Sequence, residues 1–254
     1  MILGFSTGSL AKGDFKMGLQ MASEVPTATA IELSALRETE LPDLIAAMPQ
    51  LSLDRFTYVS LHAPSKLFLL SEYELVKQLL GVVTKWEIPV IVHPDIITDV
   101  AEWRKLGRFL CIENMDKRKP IGRTAYDLEI IFNNLPQAGF CLDFAHAKQV
   151  DPTMAECAKM LRQFKTRLIQ FHISDVTSDS AHVPINIAAI ESYRKIIELV
   201  PTHLPFIIES PVPSFSMKPE LFHVESIFHK SKHYSHLHSY PYNFTSGERQ
   251  HHEH

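Results

Sequence analysis

The stretch Gly139-Phe140-Cys141-Leu142-Asp143-Phe144-Ala145-His146-Ala147 decides the fold. It begins as a short apolar and aromatic run, the composition of a strand. It then stops on a carboxylate, and a histidine follows three positions later. Working outward in both directions, the same grammar returns. Apolar runs close as Ile31-Glu32, Leu61-His62, Val92-His93, Ile112-Glu113, Phe171-His172 and Ile208-Glu209. Eight strands are therefore predicted, over residues 2–6, 30–34, 58–62, 89–93, 109–113, 139–143, 168–172 and 206–209. Segments of helical period separate them, at 15–22, 41–47, 72–86, 97–106, 125–134, 154–164 and 187–199, with a last one at 219–229. A strand returning through a helix, eight times over, predicts an α/β protein with a single (β/α)8 TIM barrel.

Such a barrel packs its interior with strand side chains and carries its chemistry on the loops at the carboxyl ends of the strands. Ionisable residues closing one run after another are what that layout requires. Glu113, Asp143, His172 and Glu209 end strands five to eight, so barrel closure brings them around one point. Three carboxylates and an imidazole suit a divalent cation such as Mn²⁺, Zn²⁺, Mg²⁺ or Co²⁺. Without a cation the carboxylates repel, and one of them must hold a proton with a raised pKa. His62 and His93 at the ends of strands three and four, His146 after Asp143 and His182 in the loop after strand seven add more donors than one ion can use. Either they bind substrate and support the ligands, or they hold a second and third ion. Glu32, at the end of strand two, is a candidate for contact with a substrate hydroxyl. The basic run Asp116-Lys117-Arg118-Lys119-Pro120-Ile121-Gly122-Arg123 follows strand five, which makes Lys117 and Arg118 candidates for gripping a substrate phosphate.

Composition narrows the alternatives. With 254 residues, 45% hydrophobic and 21% charged, the chain can bury a large core. No linker divides it, so residues 1–230 are expected to form the barrel, followed by a histidine-rich tail over 231–254. The 25 basic and 29 acidic side chains give a net charge of −4, with no overall attraction to nucleic acid or acidic membranes. No apolar run reaches the roughly 20 residues of a membrane span, and Met1-Ile2-Leu3-Gly4-Phe5 enters a strand without the pattern of a secretion signal. A cytoplasmic location is the expectation. Three cysteines, Cys111, Cys141 and Cys157, lack the spacing of a disulfide framework or zinc knuckle. Neither GxxxxGK[ST] nor GxGxxG occurs, which disfavours a nucleotide P-loop or Rossmann site.

The segments Leu61-His62-Ala63-Pro64, Val92-His93-Pro94, Ile112-Glu113-Asn114-Met115, Cys141-Leu142-Asp143-Phe144-Ala145-His146-Ala147, Phe171-His172-Ile173-Ser174-Asp175 and Ile208-Glu209-Ser210-Pro211 together resemble the xylose-isomerase-like TIM-barrel superfamily. That group includes sugar and sugar-phosphate isomerases and epimerases, and the zinc-dependent apurinic endonucleases of family 2. The resemblance implies that Glu113, Asp143, His172 and Glu209 hold a shared metal. In its endonuclease branch the positions of His62, His93, His146 and His182 ligate zinc as well. That branch also places an aspartate two residues before the loop histidine, where this chain has Ser180, with Asp179 one position earlier.

Two activities follow from the resemblance. The first is a divalent-metal-dependent isomerase or epimerase of a small sugar or sugar phosphate, acting through an enediolate. Glu113 and Glu209 then move the proton and His146 binds substrate oxygens. The alternative is a zinc-dependent phosphoesterase. A small-molecule sugar is the expected partner and nucleic acid the less favoured one, with no membrane partner. The sequence leaves the oligomeric state open.

Overall fold

The computed structural model describes residues 1–228. The expected tail at 231–254 lies outside them. Ten strands occur in the described residues: β1 (Ile2–Ser6), β2 (Ala30–Ser34), β3 (Tyr58–His62), β4 (Val90–Val92), β5 (Leu110–Glu113), β6 (Gly139–Asp143), β7 (Leu168–Ile173), β8 (Asp175–Val176), β9 (His182–Val183) and β10 (Pro205–Ile208). The helices are α1 (Thr7–Leu10), α2 (Phe15–Ser23), α3 (Leu41–Ala47), α4 (Glu72–Trp86), α5 (Val100–Trp103), α6 (Ala125–Asn134), α7 (Phe144–Val150), α8 (Ala155–Gln163), α9 (Ile187–Arg194) and α10 (Ser214–Phe228). Eight strands close a parallel barrel in the order β1-β10-β7-β6-β5-β4-β3-β2, while β8 and β9 form a separate antiparallel hairpin. This is the predicted (β/α)8 architecture. No helix of the described residues is long and apolar enough to cross a membrane.

The seam between first and last strands pairs Ile2 with Pro205 and Phe5 with Ile208. On its other side β1 lies so near β2 that a Cβ at Gly4 would overlap the Ala30 carbonyl, so only glycine fits there. The outward faces of the strands pack beneath the helices. Phe171 and Phe206 meet at 4.7 Å between ring centroids, and Phe206 meets Phe228 of α10 at 4.8 Å. These tilted aromatic contacts join the last third of the barrel to its closing helix.

Most predicted elements keep their bounds to within a residue, but the helix predicted at 187–199 ends as α9 at Arg194. Strand β4 is trimmed to Val90–Val92. Pro89 has no N–H to donate, although its carbonyl still accepts from Leu61 N, and Pro94 opens a 3₁₀ turn directly after His93. The helix predicted at 97–106 breaks into the short α5 and a 3₁₀ stretch. Asp99 caps α5 through the N–H groups of Ala101 and Glu102, and Gly107 takes a positive φ of 55°. Helices α4 and α6 start on full capping boxes, Ser71 with Glu74 and Thr124 with Asp127. Helix α10 starts five residues before the predicted position, at Ser214, and carries Pro219 inside it.

Candidate metal centre

Strand alternation aims every second side chain into the barrel. Ser60 and His62, Cys111 and Glu113, Cys141 and Asp143, and Gln170 and His172 therefore form pairs, with the ionisable member of each nearer the mouth. All eight are buried. Glu209 follows β10, and its N–H still donates to the Ile173 carbonyl at 3.0 Å, so the chain leaves the sheet in register.

The ends of β5 and β6 are latched together by Asn114. Its Oδ1 accepts from Asp143 N at 2.7 Å, and its Nδ2 donates to the Asp143 carbonyl at 3.0 Å. Asp143 then caps α7, its Oδ1 accepting the His146 N–H at 2.6 Å. The rule that a strand-end Asp makes a good N-cap thus explains the Asp-Phe-Ala-His spacing. His182 arrives differently, on the β8–β9 hairpin. Side-chain ties hold that hairpin, among them Lys148 to Asp175 at 2.6 Å, Ser180 Oγ to Gln149 Oε1 at 2.8 Å, and Arg118 Nη1 to the Asp179 carbonyl at 2.8 Å.

All eight predicted ligands converge, and they sort into three groups whose ligand atoms lie within 4.8 Å of one another: His62, His93 and Glu113; Glu113, Asp143, His172 and Glu209; Asp143, His146 and His182. Glu113 belongs to two groups and so does Asp143. Glu113 Oε2 lies 3.2 Å from His62 Nε2 and 3.3 Å from His93 Nε2. Its Oε1 lies 3.3 Å from both His172 Nδ1 and His146 Nδ1. Glu209 Oε2 is 3.5 Å from His172 Nδ1 and from His182 Nε2.

Burial and these charges work against each other. Burial disfavours ionised Glu113, but the surrounding imidazoles, His172 first, outweigh it and hold the carboxyl well below the ordinary range. Burial likewise pushes the His62 and His146 rings down, and the neighbouring carboxylates lift them further, to about 9 and about 10. For Glu209 burial prevails and raises its carboxyl. Asp143 Oδ2 and His172 Nδ1 are buried with no hydrogen-bond partner. A buried polar atom left so costs roughly 1–3 kcal/mol. Both belong to the central group, and a cation there would supply the partner they lack. The residues fit a divalent metal.

Above the ligands lies a cleft of about 410 Å³ at the barrel mouth. His146 lines it. Arg118 also lines it, but its guanidinium is engaged with both Asp116 oxygens, at 2.8 and 3.1 Å, and with the hairpin carbonyls. Lys117 is exposed and does not line the cleft. Glu32 does not stand where contact with a substrate hydroxyl requires it. It is 0% exposed, lies beneath the ligand layer and does not line the cleft. Lys12, Lys66 and Lys119 line the mouth and were not singled out from sequence. Their positions in loops following β1, β3 and β5 were the available signal. The loop that carries Lys66 also presents Phe68 and Leu69, 81% and 78% exposed. Glu38 fixes that loop by accepting the N–H groups of Phe68, Leu69 and Leu70 at 3.0, 2.6 and 2.9 Å.

No protein-family model and no curated protein matches the sequence. Solved structures do match in shape. Endonuclease IV from Thermus thermophilus superposes with a TM-score of 0.57 at 16% identity, over 89% of this chain and 97% of that one. 3-Keto-D-glucoside 4-epimerase from E. coli gives 0.55 at 14% identity, over 89% and 99%. A xylose isomerase-like TIM barrel protein from Mycobacterium smegmatis, in complex with magnesium, gives 0.51 at 13% identity, over 84% and 88%. At such identities the likeness is one of architecture: the chain has the barrel fold shared by an endonuclease, a sugar epimerase and a magnesium-binding xylose isomerase-like protein.

Proposed function

We propose that the chain is a divalent-metal-dependent phosphoesterase that cleaves a phosphoester carried by a sugar, in a nucleic-acid strand or in a smaller ester. The observation that carries this reading is the sharing of Glu113 and Asp143 between ligand groups, which turns eight donors into three adjoining sites. A single ion has no use for His62, His93, His146 and His182 as well as the central four. When bound, divalent cations supply Lewis acidity toward phosphoryl oxygens and lower the pKa of water. The protein's own residues do the rest. Lys12 and Lys66 bring positive charge to the mouth, where the non-bridging oxygens of a phosphoester gather, while Lys119 beside them is paired with Asp95 at 2.5 Å. Phe68 and Leu69 offer an apolar surface on the neighbouring loop, suited to the ring of a base or sugar. The endonuclease and the epimerase that share the fold show that it accommodates either chemistry, so the fold itself does not choose.

A second reading, the isomerase or epimerase of a small sugar or sugar phosphate, is favoured by the third group. That group has one carboxylate, shared with the centre, and Ser180 beside it in place of another. The central four are complete without it. In this reading Glu113 and Glu209 exchange a substrate proton and His146 holds a hydroxyl.

Elemental analysis of protein purified without added metal, combined with assays on an abasic-site duplex and on bis(4-nitrophenyl) phosphate, decides between them. Two or three zinc ions per chain with phosphodiester cleavage is the expected result. One ion per chain, with solvent deuterium entering a ketose and no cleavage, would overturn the proposal in favour of the second reading.

A further inference from the structure

Beneath the ligand layer the barrel holds a second polar layer that direct metal binding does not use. Glu32 is its hub. Its Oε2 accepts from Gln170 Nε2 at 2.7 Å and from Ser60 Oγ at 3.0 Å, and lies 3.1 Å from His172 Nε2. Gln170 is itself anchored, its Oε1 accepting from Tyr58 OH at 2.6 Å. A carboxylate with no solvent contact is expensive to bury and stays only where its partners require it. Here four side chains from β2, β3 and β7 converge beneath one imidazole.

We propose that Glu32 is a positioning residue for His172: by accepting the Nε2–H it fixes the ring so that Nδ1 faces Glu113 and Glu209 as the metal-ligating atom. The distances support this orientation. His172 Nδ1 lies 3.3 Å from Glu113 Oε1 and 3.5 Å from Glu209 Oε2, with no hydrogen bond of its own. An imidazole ligates through one nitrogen while the hydrogen bond on the other sets its orientation and basicity. The same contact explains the charge under the centre: ionised Glu32 makes His172 a stronger donor, and Ser60 and Gln170 keep the carboxylate from turning away. The inference rests on the reading of the central group as a metal site, but on neither choice of reaction.

The test uses the full chain loaded with Zn²⁺, with histidine-ring ¹⁵N NMR and chelator competition as readouts. In the unsubstituted protein His172 is expected to coordinate through Nδ1 and carry its proton on Nε2. Glu32→Gln keeps the shape and removes the charge, and Zn²⁺ affinity is expected to fall roughly 10–100-fold with an unchanged unfolding midpoint in chelator. Glu32→Asp should recover part of the loss. Coordination through Nε2, or Glu32→Gln binding within twofold of the parent, would overturn the proposal while leaving the metal site standing. If the parent takes up no Zn²⁺, the metal reading falls and the role of Glu32 falls with it. Should Glu32→Gln not fold, the ring assignment in the parent still decides.

Discussion

The central ligand group and the outer one share Asp143, yet the barrel treats them differently. Glu113, Asp143, His172 and Glu209 are all buried and stand at or directly after barrel strands, with the Glu32 layer underneath. In the outer group His182 sits on a two-residue strand of a hairpin with its side chain 29% exposed, and the only carboxylate is borrowed from the centre. Ligands on strand ends inherit the precision of the sheet, whereas a ligand on a hairpin needs ties of its own. Lys148, Gln149 and Arg118 are those ties.

The comparison is most directly broken at Glu113, which serves two groups. Glu113→Gln is expected to remove at least one ion per chain and to lower turnover by more than the roughly 10–100-fold typical of losing an outer partner. Metal content by elemental analysis and the rate on a cleaved substrate check this together. Full metal content in that variant would mean that the centre is not the anchor.

A smaller effect is expected at the outer group, where two substitutions pull in opposite directions. His182→Ala should lose the outer ion and leave the central one. Ser180→Asp should strengthen the outer ion about tenfold by supplying a second carboxylate, a gain near that of one charge-assisted contact. The left-handed backbone at Ser180, φ 59°, is one that aspartate tolerates. Chelator titration resolves the tight and weak ions, and equal affinities in both variants would erase the distinction drawn here.

The smallest effect is one of pH. In metal-free protein the His62 and His146 rings titrate at about 9 and about 10, above the ordinary imidazole value. Their contribution to stability is fully present below about pH 6.5 and is lost as pH rises through those folded values. The melting temperature in chelator is thus expected to fall between neutral pH and about pH 10. Metal-loaded protein, whose ligating imidazoles carry no proton at the donor nitrogen, should fall less. Parallel curves for the two forms would disconnect these rings from the metal sites.

The barrel was legible because its strands are short apolar runs that end on ionisable residues, a pattern visible residue by residue. Six of the eight converging side chains were legible for the same reason, and His146 by its three-residue spacing from Asp143, whereas His182 lies in a loop. Three features were less visible. Glu32 closes an apolar run on the same pattern as Glu113, yet it sits one layer lower, because β2 continues for two more residues to Ser34 while β5 ends at Glu113. Only the register, which places Glu32 opposite Ser60 and Ser34 opposite His62, separates the two layers. Lys12 and Lys66 reach the mouth through loop paths that no local periodicity encodes. Arg118 looked like a free cation in a basic run, but Asp116, two residues away, claims its guanidinium.

The seam that joins Ile2 to Pro205 and needs glycine at position 4 also sets a condition on synthesis. β1 leaves the ribosome nearly two hundred residues before its second neighbour, β10, exists, and Glu209 follows that neighbour by a single position. A nascent chain stalled before β10 is an open sheet with two bare edges, the kind of intermediate that aggregates unless it is shielded. Closure of the cylinder and completion of the candidate metal centre are thus one event in the life of the polypeptide.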